Sequence, residues 1–255
     1  MSCRMKLVVA YLGTAFHGWQ RQARQMTVQG ELERMLTKLA AGFPVTVVGA
    51  GRTDAGVHAA AQTAHVDLPT SIPPEGLVRA LNHLLPRDIR VRSAHRVDAA
   101  FHARKSALGK RYIYRARWRE ASLPWHGLRT AVVAPPQNPE SVRAAAALLS
   151  GRHDWASFTV PYPDSHSTER VLFRISLRER RDGLDLAFIG EGFLRYQVRR
   201  MVGALFEVGW NRRSVAEIQT LIEQPTPGAP LWTAPAVGLT LERVYYRSSP
   251  LLSSD

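Results

Sequence analysis

A glycine-rich stretch near position 50 carries one carboxylate between flexible backbone positions. It comprises residues 49–56 and reads Gly-Ala-Gly-Arg-Thr-Asp-Ala-Gly, with the carboxylate at Asp54. Its glycines allow tight turns and the close approach of a ligand. Arg52 lies two residues earlier, and a nearby guanidinium favours the charged form of a carboxylate, so we expect Asp54 to be ionised at neutral pH. An ionised carboxylate in a cleft can act as a nucleophile or as a base.

Two common nucleotide-binding loops do not fit this stretch. A Rossmann fingerprint needs Gly where Asp54 stands, and a P-loop needs Gly-Lys-Ser/Thr, which is absent. Asp-Ala-Gly is also ordinary turn chemistry, in which the Asp side chain bonds its own backbone. Taken alone, the stretch leaves two alternatives, a turn and a reactive carboxylate, and the turn is the commoner of the two.

A predicted strand over residues 110–118 carries aromatic residues on one face and arginines on the other. Tyr112 and Tyr114 share the first face by the two-residue period of a strand. Aromatic rings stack on unpaired bases, and a row of arginines can follow phosphates. An aromatic core face with a solvated cationic face fits the same pattern, so both interpretations stay open.

A predicted helix over residues 193–209 places Arg195 and Arg199 on one face, because residues four apart are neighbours on a helix. Either arginine could reach a carboxylate in a cleft. A solvated helix surface is the usual fate of such a pair.

The balance of charge indicates a polyanionic partner. Lys and Arg number 34 and Asp and Glu 21, which gives a formal net charge of +13. Nucleic acid is the commonest partner of a strongly basic domain, and a basic surface kept for solubility is the alternative. Most of the cations are Arg, whose guanidinium makes forked contacts to phosphate and stacks on bases.

Cysteine and histidine usage argues against disulfides and metal sites. Cys3 is the only cysteine, which excludes an intrachain disulfide and a cysteine-based zinc site, and the nine His are scattered. No apolar run approaches the length of a membrane span. Residues 4–12 faintly resemble a signal peptide but lack a cleavage site. We therefore expect a cytoplasmic protein without metal or membrane.

The elements that must position these residues follow from the hydrophobic periodicity. The first half reads β-α-β-β-α-β, the order of ferredoxin-like folds. Its strands are predicted at 6–12, 44–48, 62–68 and 89–97, with one helix capped by Thr27 and another opened by Pro74.

The second half reads in a similar order. Its predicted elements are a strand at 110–118, a helix from Asn138 and Pro139, a hairpin of 171–177 and 184–189, the helix at 193–209, a short helix with a capping box of Ser214 and Glu217, and a last strand at 239–246. We therefore predict an α+β fold with two similar halves, residues 1–105 and 106–255, and a site between them.

Several motifs in this order resemble the tRNA pseudouridine synthase A family over nearly the whole chain. One of them, residues 51–59, looks like the signature of the family and surrounds Asp54. The others are 11–13, 16 and 18–22; 101–104, 106–107 and 111–114; 193–194, 198–199 and 202–203; and 234–235, 238–239 and 244–246. Tyr196, Gln197 and Lys105 depart from the family pattern; they could alter packing near the cleft but leave the expected site residues themselves unchanged.

This resemblance implies an isomerase that converts uridine to pseudouridine at positions 38, 39 and 40 of the tRNA anticodon stem-loop, without a cofactor. Asp54 corresponds to the essential carboxylate. Tyr112 corresponds to a tyrosine that stacks on the target base, Arg199 to the arginine that pairs with the carboxylate, and Arg52 to the residue that helps displace the base. Arg104, in the central motif, is a further expected substrate-binding residue.

The resemblance also implies two α+β halves that share a mixed, largely antiparallel sheet with a central cleft, and a homodimer that holds tRNA across both subunits. Two other functions remain open: a pseudouridine synthase for another RNA site, and an RNA-binding protein without catalysis. The combination of Asp54, Tyr112 and Arg199 speaks against the second, because binding alone does not need the carboxylate.

Overall fold

The structure of the chain, a computed structural model, describes residues 3–69, 72–160 and 167–247. These residues fall into two compact units: a first unit, up to residue 108 and again from 240, and a second unit, residues 109–239. The described elements are β1 (Cys3–Tyr11), α1 (Val28–Leu39), β2 (Val47–Gly49), β3 (His58–Leu68), α2 (Pro74–Leu84), β4 (Ile89–Arg96), β5 (Gly109–Trp118), β6 (Ala131–Val133), α3 (Pro139–Leu148), β7 (Gly151–Asp154), β8 (Glu169–Arg180), β9 (Gly183–Gly190), α4 (Gln197–Gly209), α5 (Val215–Glu223) and β10 (Leu239–Tyr245).

The first unit is built on a sheet in the order β4-β1-β3. Both neighbours of β1 run antiparallel to it. The far side of β3 is shared by β2, antiparallel at residues 64–66, and β10, parallel at residues 58–59. Apolar side chains of the first unit are fully buried on β1, α1 and α2: Leu7, Val9, Leu32, Leu36, Leu77 and Leu81. Each contributes about 1.5–3 kcal/mol relative to an exposed position.

The second unit has an antiparallel sheet in the order β5-β9-β8-β7, and β6 pairs parallel with β5. Helix α3 contacts both α4 and α5. The predicted α+β class, with mostly antiparallel strands, is confirmed. The last strand, which the sequence pattern counted with the second half, pairs with β3 of the first unit.

The predicted helix starts are largely confirmed by their caps. The Thr27 side chain accepts from an N–H in the first turn of α1, and Asn138 does the same for α3. Ser214 and Glu217 form both bonds of the predicted capping box at α5.

Helix α4 differs from the prediction because it begins at Gln197 rather than at residue 193. Tyr196 has a left-handed backbone with φ of +59°, which a continuous right-handed helix cannot include. The Gln197 side-chain oxygen instead accepts the Leu194 N–H at 2.8 Å. Arg195 therefore precedes the helix and does not lie on its face.

Strand β2 is shorter than predicted. It was expected from Pro44 but begins at Val47. Proline has no N–H for a ladder, and the Val45 N–H donates to the Thr37 hydroxyl of α1 at 3.2 Å. Conversely, β3 begins earlier than predicted, and the short strands β6 and β7 were not predicted at all. Among the described residues, no helix is both long and apolar enough to cross a membrane.

Candidate active site

The Asp54 loop, residues 50–57, connects β2 to β3 and is tied to β3 at its start. The Ala50 N–H donates to the carbonyl of Thr63 at 2.7 Å. The fully buried side chain of Gln62 donates through Nε2 to the carbonyl of Gly51 at 2.8 Å. The loop therefore leaves the sheet from a fixed origin.

Thr53, directly before Asp54, is held from two directions. Its side chain is buried and shares a 2.8 Å hydrogen bond with the Tyr11 hydroxyl of β1. Its carbonyl accepts from the Trp19 N–H at 3.1 Å. Burial raises the pKa of Tyr11, so its hydroxyl keeps its proton and this bond persists across the physiological range.

Gly18 allows the backbone around Trp19 to lie against the Asp54 loop. Its φ is +87°, and a Cβ at this position would lie 2.6 Å from the Thr53 carbonyl oxygen. The other end of the loop is held by a hydrogen bond in which the Gly56 N–H donates to the Phe16 carbonyl at 3.3 Å. The backbone of residues 16–19 therefore acts as a clamp on both sides of Asp54.

The clamp is itself anchored to the start of α1. The N–H groups of Val28 and Gln29 donate to the carbonyls of Gly18 and Trp19, at 3.2 and 3.0 Å. Trp19 is almost fully buried. Its ring lies so close to the backbone at Gly49 that a Cβ there would meet it at 2.6 Å.

A buried carboxylate connects α1 to β2, the strand that leads into the loop. One oxygen of Glu33 accepts from the Val47 N–H at 3.0 Å and from the Gln29 amide at 2.8 Å. The other lies 3.3 Å from the Arg21 guanidinium. The Gln29 side chain also accepts the Arg21 N–H at 3.0 Å.

These supporting residues were not identified from the sequence. Tyr11, Gln62 and Glu33 carry polar groups at buried positions of otherwise apolar elements. Their polar groups in otherwise apolar elements were the feature of the sequence that could have identified them. Buried polar groups need hydrogen-bond partners, so such residues are candidates for holding a neighbouring loop.

The structure places the predicted site residues in both units. Asp54 is half-buried, and Arg52 is exposed with its Nε donating to the Gln20 side chain at 3.2 Å. Arg104 is exposed in the first unit, and its N–H donates to Nδ1 of His102 at 3.2 Å.

Tyr112 and Arg199 belong to the second unit. Tyr112 is buried on β5, with its ring edge-on to that of Phe193 at 5.2 Å. The Nε of Arg199 donates to the Ala234 carbonyl at 2.8 Å, and its guanidinium lies over the Tyr196 ring at 5.1 Å. Arg199 is thus positioned from two sides on α4.

The two faces of β5 have different surroundings. Tyr114 is fully buried, so its ring belongs to the core, and burial raises its pKa. Arg117, on the cationic face, is paired with Asp185 at 2.9 Å and with Asp182 at 3.4 Å. Tyr114 therefore agrees with the core interpretation of the aromatic face, whereas Arg117 is ion-paired rather than solvated as the alternative for the cationic face expected.

The sequence matches a known protein family over most of its length. A family model described as tRNA pseudouridine synthase matches residues 7–104 and 145–247. The chain belongs to the tRNA pseudouridine synthase family. Members of this family are isomerases that convert uridine to pseudouridine, so the predicted enzyme class is confirmed.

Relatives named tRNA pseudouridine synthase A match nearly the whole chain. The protein of Latilactobacillus sakei is 39% identical over 97% of this chain and 100% of its own length. That of Geobacillus kaustophilus is 39% identical over 100% and 98%, and that of Paramagnetospirillum magneticum 40% identical over 96% of each. A chain in the crystal structure of a Cbf5-Nop10-Gar1 complex aligns at a TM-score of 0.39 and 11% identity, over 93% of this chain and 48% of that one.

Proposed function

We propose that this tRNA pseudouridine synthase isomerises uridine at positions 38, 39 and 40 in the anticodon stem-loop of tRNA, with Asp54 as its reactive carboxylate. The observation that carries the proposal is the construction of the Asp54 loop. Residues 51–59 resemble the signature of the family, and the backbone on either side of Asp54 is fixed by hydrogen bonds to β1, β3 and the clamp at residues 16–19. Such preorganisation is what a reacting group requires.

The reaction needs no net oxidation or added group. The C1′–N1 bond of uridine breaks, the uracil turns, and a C1′–C5 bond forms; C5 then loses its proton and N1 gains one. An ionised carboxylate can serve this sequence by attacking the base, by attacking the sugar or by removing a sugar proton. In all three routes it must lie at a fixed distance from the target nucleotide, which the Asp54 loop supports.

The other residues are assigned to binding. A base inside a stem must leave its stack to reach the carboxylate, and Arg52, exposed on the same loop, is proposed to help displace it. Tyr112 is proposed to stack on the extruded base and Arg199 to pair with the carboxylate. Arg104 is proposed to contact the RNA backbone, in keeping with its exposure.

The remaining features of the proposal concern assembly and location. We propose a cytoplasmic homodimer that holds tRNA across both subunits and works without a cofactor or metal. Light scattering of the purified chain measures the oligomeric state, and a mass of one chain would contradict the dimer. The net charge of +13 supports a polyanionic substrate.

The experiment uses purified protein, unmodified tRNA transcript and a chelator, with Asp54→Asn alongside. Pseudouridine is mapped by chemical labelling and primer extension. We expect stops at positions 38, 39 and 40 that are absent with Asp54→Asn, while tRNA binding is retained.

Each other outcome has a distinct meaning. A stop elsewhere keeps the chemistry and overturns the substrate position. Binding without any stop favours an RNA-binding protein without catalysis. Turnover by Asp54→Asn would refute the role of that carboxylate, because the amide cannot act as a nucleophile or base in its place.

A further inference from the structure

A recess in the first unit is lined by cations and lies outside the Asp54 loop. Its volume is about 310 Å³, and it is lined by Lys6 of β1 and by residues 243–247, which are the last residues of β10 and the two that follow it. Three of the lining residues, Lys6, Arg243 and Arg247, are cationic, and none of the described lining residues is acidic. We call it the Lys6 recess.

Lys6 is held in place by aromatic rings. Its ammonium lies 4.5 Å from the ring centroid of Tyr246 and 5.5 Å from that of Phe101. In the sheet it stands opposite His65 of β3 and His95 of β4. These contacts fix the position of the charge without neutralising it, because cation–π attraction leaves the ammonium cationic.

The three cations have no carboxylate partner among the described residues of the chain. Arg4, on the same strand, provides the contrast, since its guanidinium is paired with Asp67 at 2.7 Å. Burial and the neighbouring Arg247 both lower the pKa of Lys6, as expected for a cation that lacks a counter-charge. Gathering like charges costs free energy unless an anion joins them.

We propose that the Lys6 recess binds a backbone phosphate of the RNA substrate, away from the target nucleotide. The proposal rests on the proposed function, which supplies a polyanion of phosphodiesters. Two guanidiniums and an ammonium around a concave site match phosphate oxygens, and phosphate contacts position an RNA without reading its sequence.

The location suits a positioning contact on the same RNA. Lys6 and Tyr11, whose hydroxyl holds the Asp54 loop, are five residues apart on β1, which separates their Cα atoms by about 17 Å along the strand. A phosphate bound in the Lys6 recess would therefore fix the RNA at a second point beyond the reacting nucleotide and restrict its rotation.

The test compares cation removal inside and outside the recess. The variants are Lys6→Gln and the double variant Arg243→Gln/Arg247→Gln, whose two side chains are exposed. The matched control is Lys38→Gln/Arg79→Gln, which removes the same charge from exposed positions on α1 and α2. Thermal unfolding verifies that each variant is folded.

Binding of unmodified tRNA transcript is measured against salt concentration, in full-length chains that also carry Asp54→Asn so that the RNA is not converted. For the double recess variant we expect affinity to fall about tenfold at low salt. The slope of log K against log salt should drop by about 0.9, the value of one phosphate contact. The control double variant should keep most of the salt slope of the unaltered chain, because Lys38 and Arg79 do not line a common site.

Turnover separates this proposal from the proposed function. With Asp54 restored, the recess variants should raise KM and leave kcat unchanged. If the unaltered chain makes no pseudouridine, the proposed function fails, and the salt slopes still report on the recess. Equal slopes for the recess variants and the control would overturn the recess as a phosphate site. A further outcome concerns anionic lipid vesicles. If the recess variants lose binding to such vesicles but keep the salt slope for tRNA, the Lys6 recess is a membrane-binding surface and the proposal is overturned.

Discussion

Gly18→Ala tests whether the clamp at residues 16–19 positions the reactive carboxylate. The new Cβ would lie 2.6 Å from the Thr53 carbonyl oxygen, whereas ordinary contacts begin at 3.4 Å. The carbonyl must therefore move by at least about 0.8 Å, or the clamp must move away from it. Because Thr53 directly precedes Asp54, the shift reaches the carboxylate. A misplacement of about 1 Å can cost about 100-fold in rate, and we expect a loss of kcat of that order.

The chain offers a matched control for the backbone strain. Gly18 has φ of +87° and Gly42 has φ of +90°, and nothing lies within 4 Å of a Cβ at Gly42. Alanine should cost about 1–2 kcal/mol of conformational energy at either position. Both variants should therefore lose thermal stability, by about 2–4 °C for each kcal/mol in a chain of this size.

The assay is single-turnover formation of pseudouridine at saturating enzyme, with thermal unfolding of the same samples. Gly42→Ala should lower the melting temperature and keep the rate. Gly18→Ala should lower both. If the rate with Gly18→Ala stays within about threefold of that with Gly42→Ala, the clamp does not position Asp54 and the reasoning is wrong.

Three further predictions concern other contacts. Tyr112→Phe keeps the aromatic ring, so the variant should still bind tRNA. If it also forms pseudouridine, stacking of the ring is sufficient. Complete loss of turnover would assign the hydroxyl to proton transfer. Glu33→Leu removes the carboxylate oxygen that accepts the Val47 N–H at 3.0 Å and leaves that buried donor without its acceptor, so it should lower the free energy of unfolding by about 1–3 kcal/mol in urea titration. No change would contradict the anchoring role of Glu33. Burial, with nearby cations, lowers the pKa of His65 below 6.5, and its neutral Nδ1 accepts the Ala103 N–H. The contribution of His65 to the free energy of unfolding should therefore be fully present above pH 6.5 and should be lost as the pH falls below it. His65→Asn, which keeps an acceptor but does not titrate, should flatten that part of the stability profile; an unchanged profile would exclude His65 as the cause.

Local patterns predicted much of the fold. The caps at Thr27 and Asn138 and the capping box at Ser214 depend on residues three apart in the sequence, and all three form. The apolar period of α1 and α2 predicted both helices for the same reason, since a helix is specified within its own turns.

The prediction failed where neighbours distant in sequence decide the conformation. Strands β6 and β7 have three and four residues, too few for a periodic pattern. Helix α4 starts late because Tyr196 adopts a left-handed conformation, which its residue type does not indicate. The pairing of β10 with β3 joins segments about 180 residues apart, and the local pattern of β10 carries no information about its partner.

The sequence by itself determined that Asp54 lies in a glycine-rich loop and, through its order of motifs, which family the chain resembles. Only the tertiary structure decided how that loop is held. The hydrogen bond between Tyr11 and Thr53 and the close approach of Gly18 to the Thr53 carbonyl each join residues more than thirty positions apart. The same holds for the Lys6 recess, where strands from opposite ends of the chain bring three cations together. Such contacts depend on tertiary packing. The composition and hydrophobic periodicity of a segment indicate which of its residues are buried, but not which distant residues they contact.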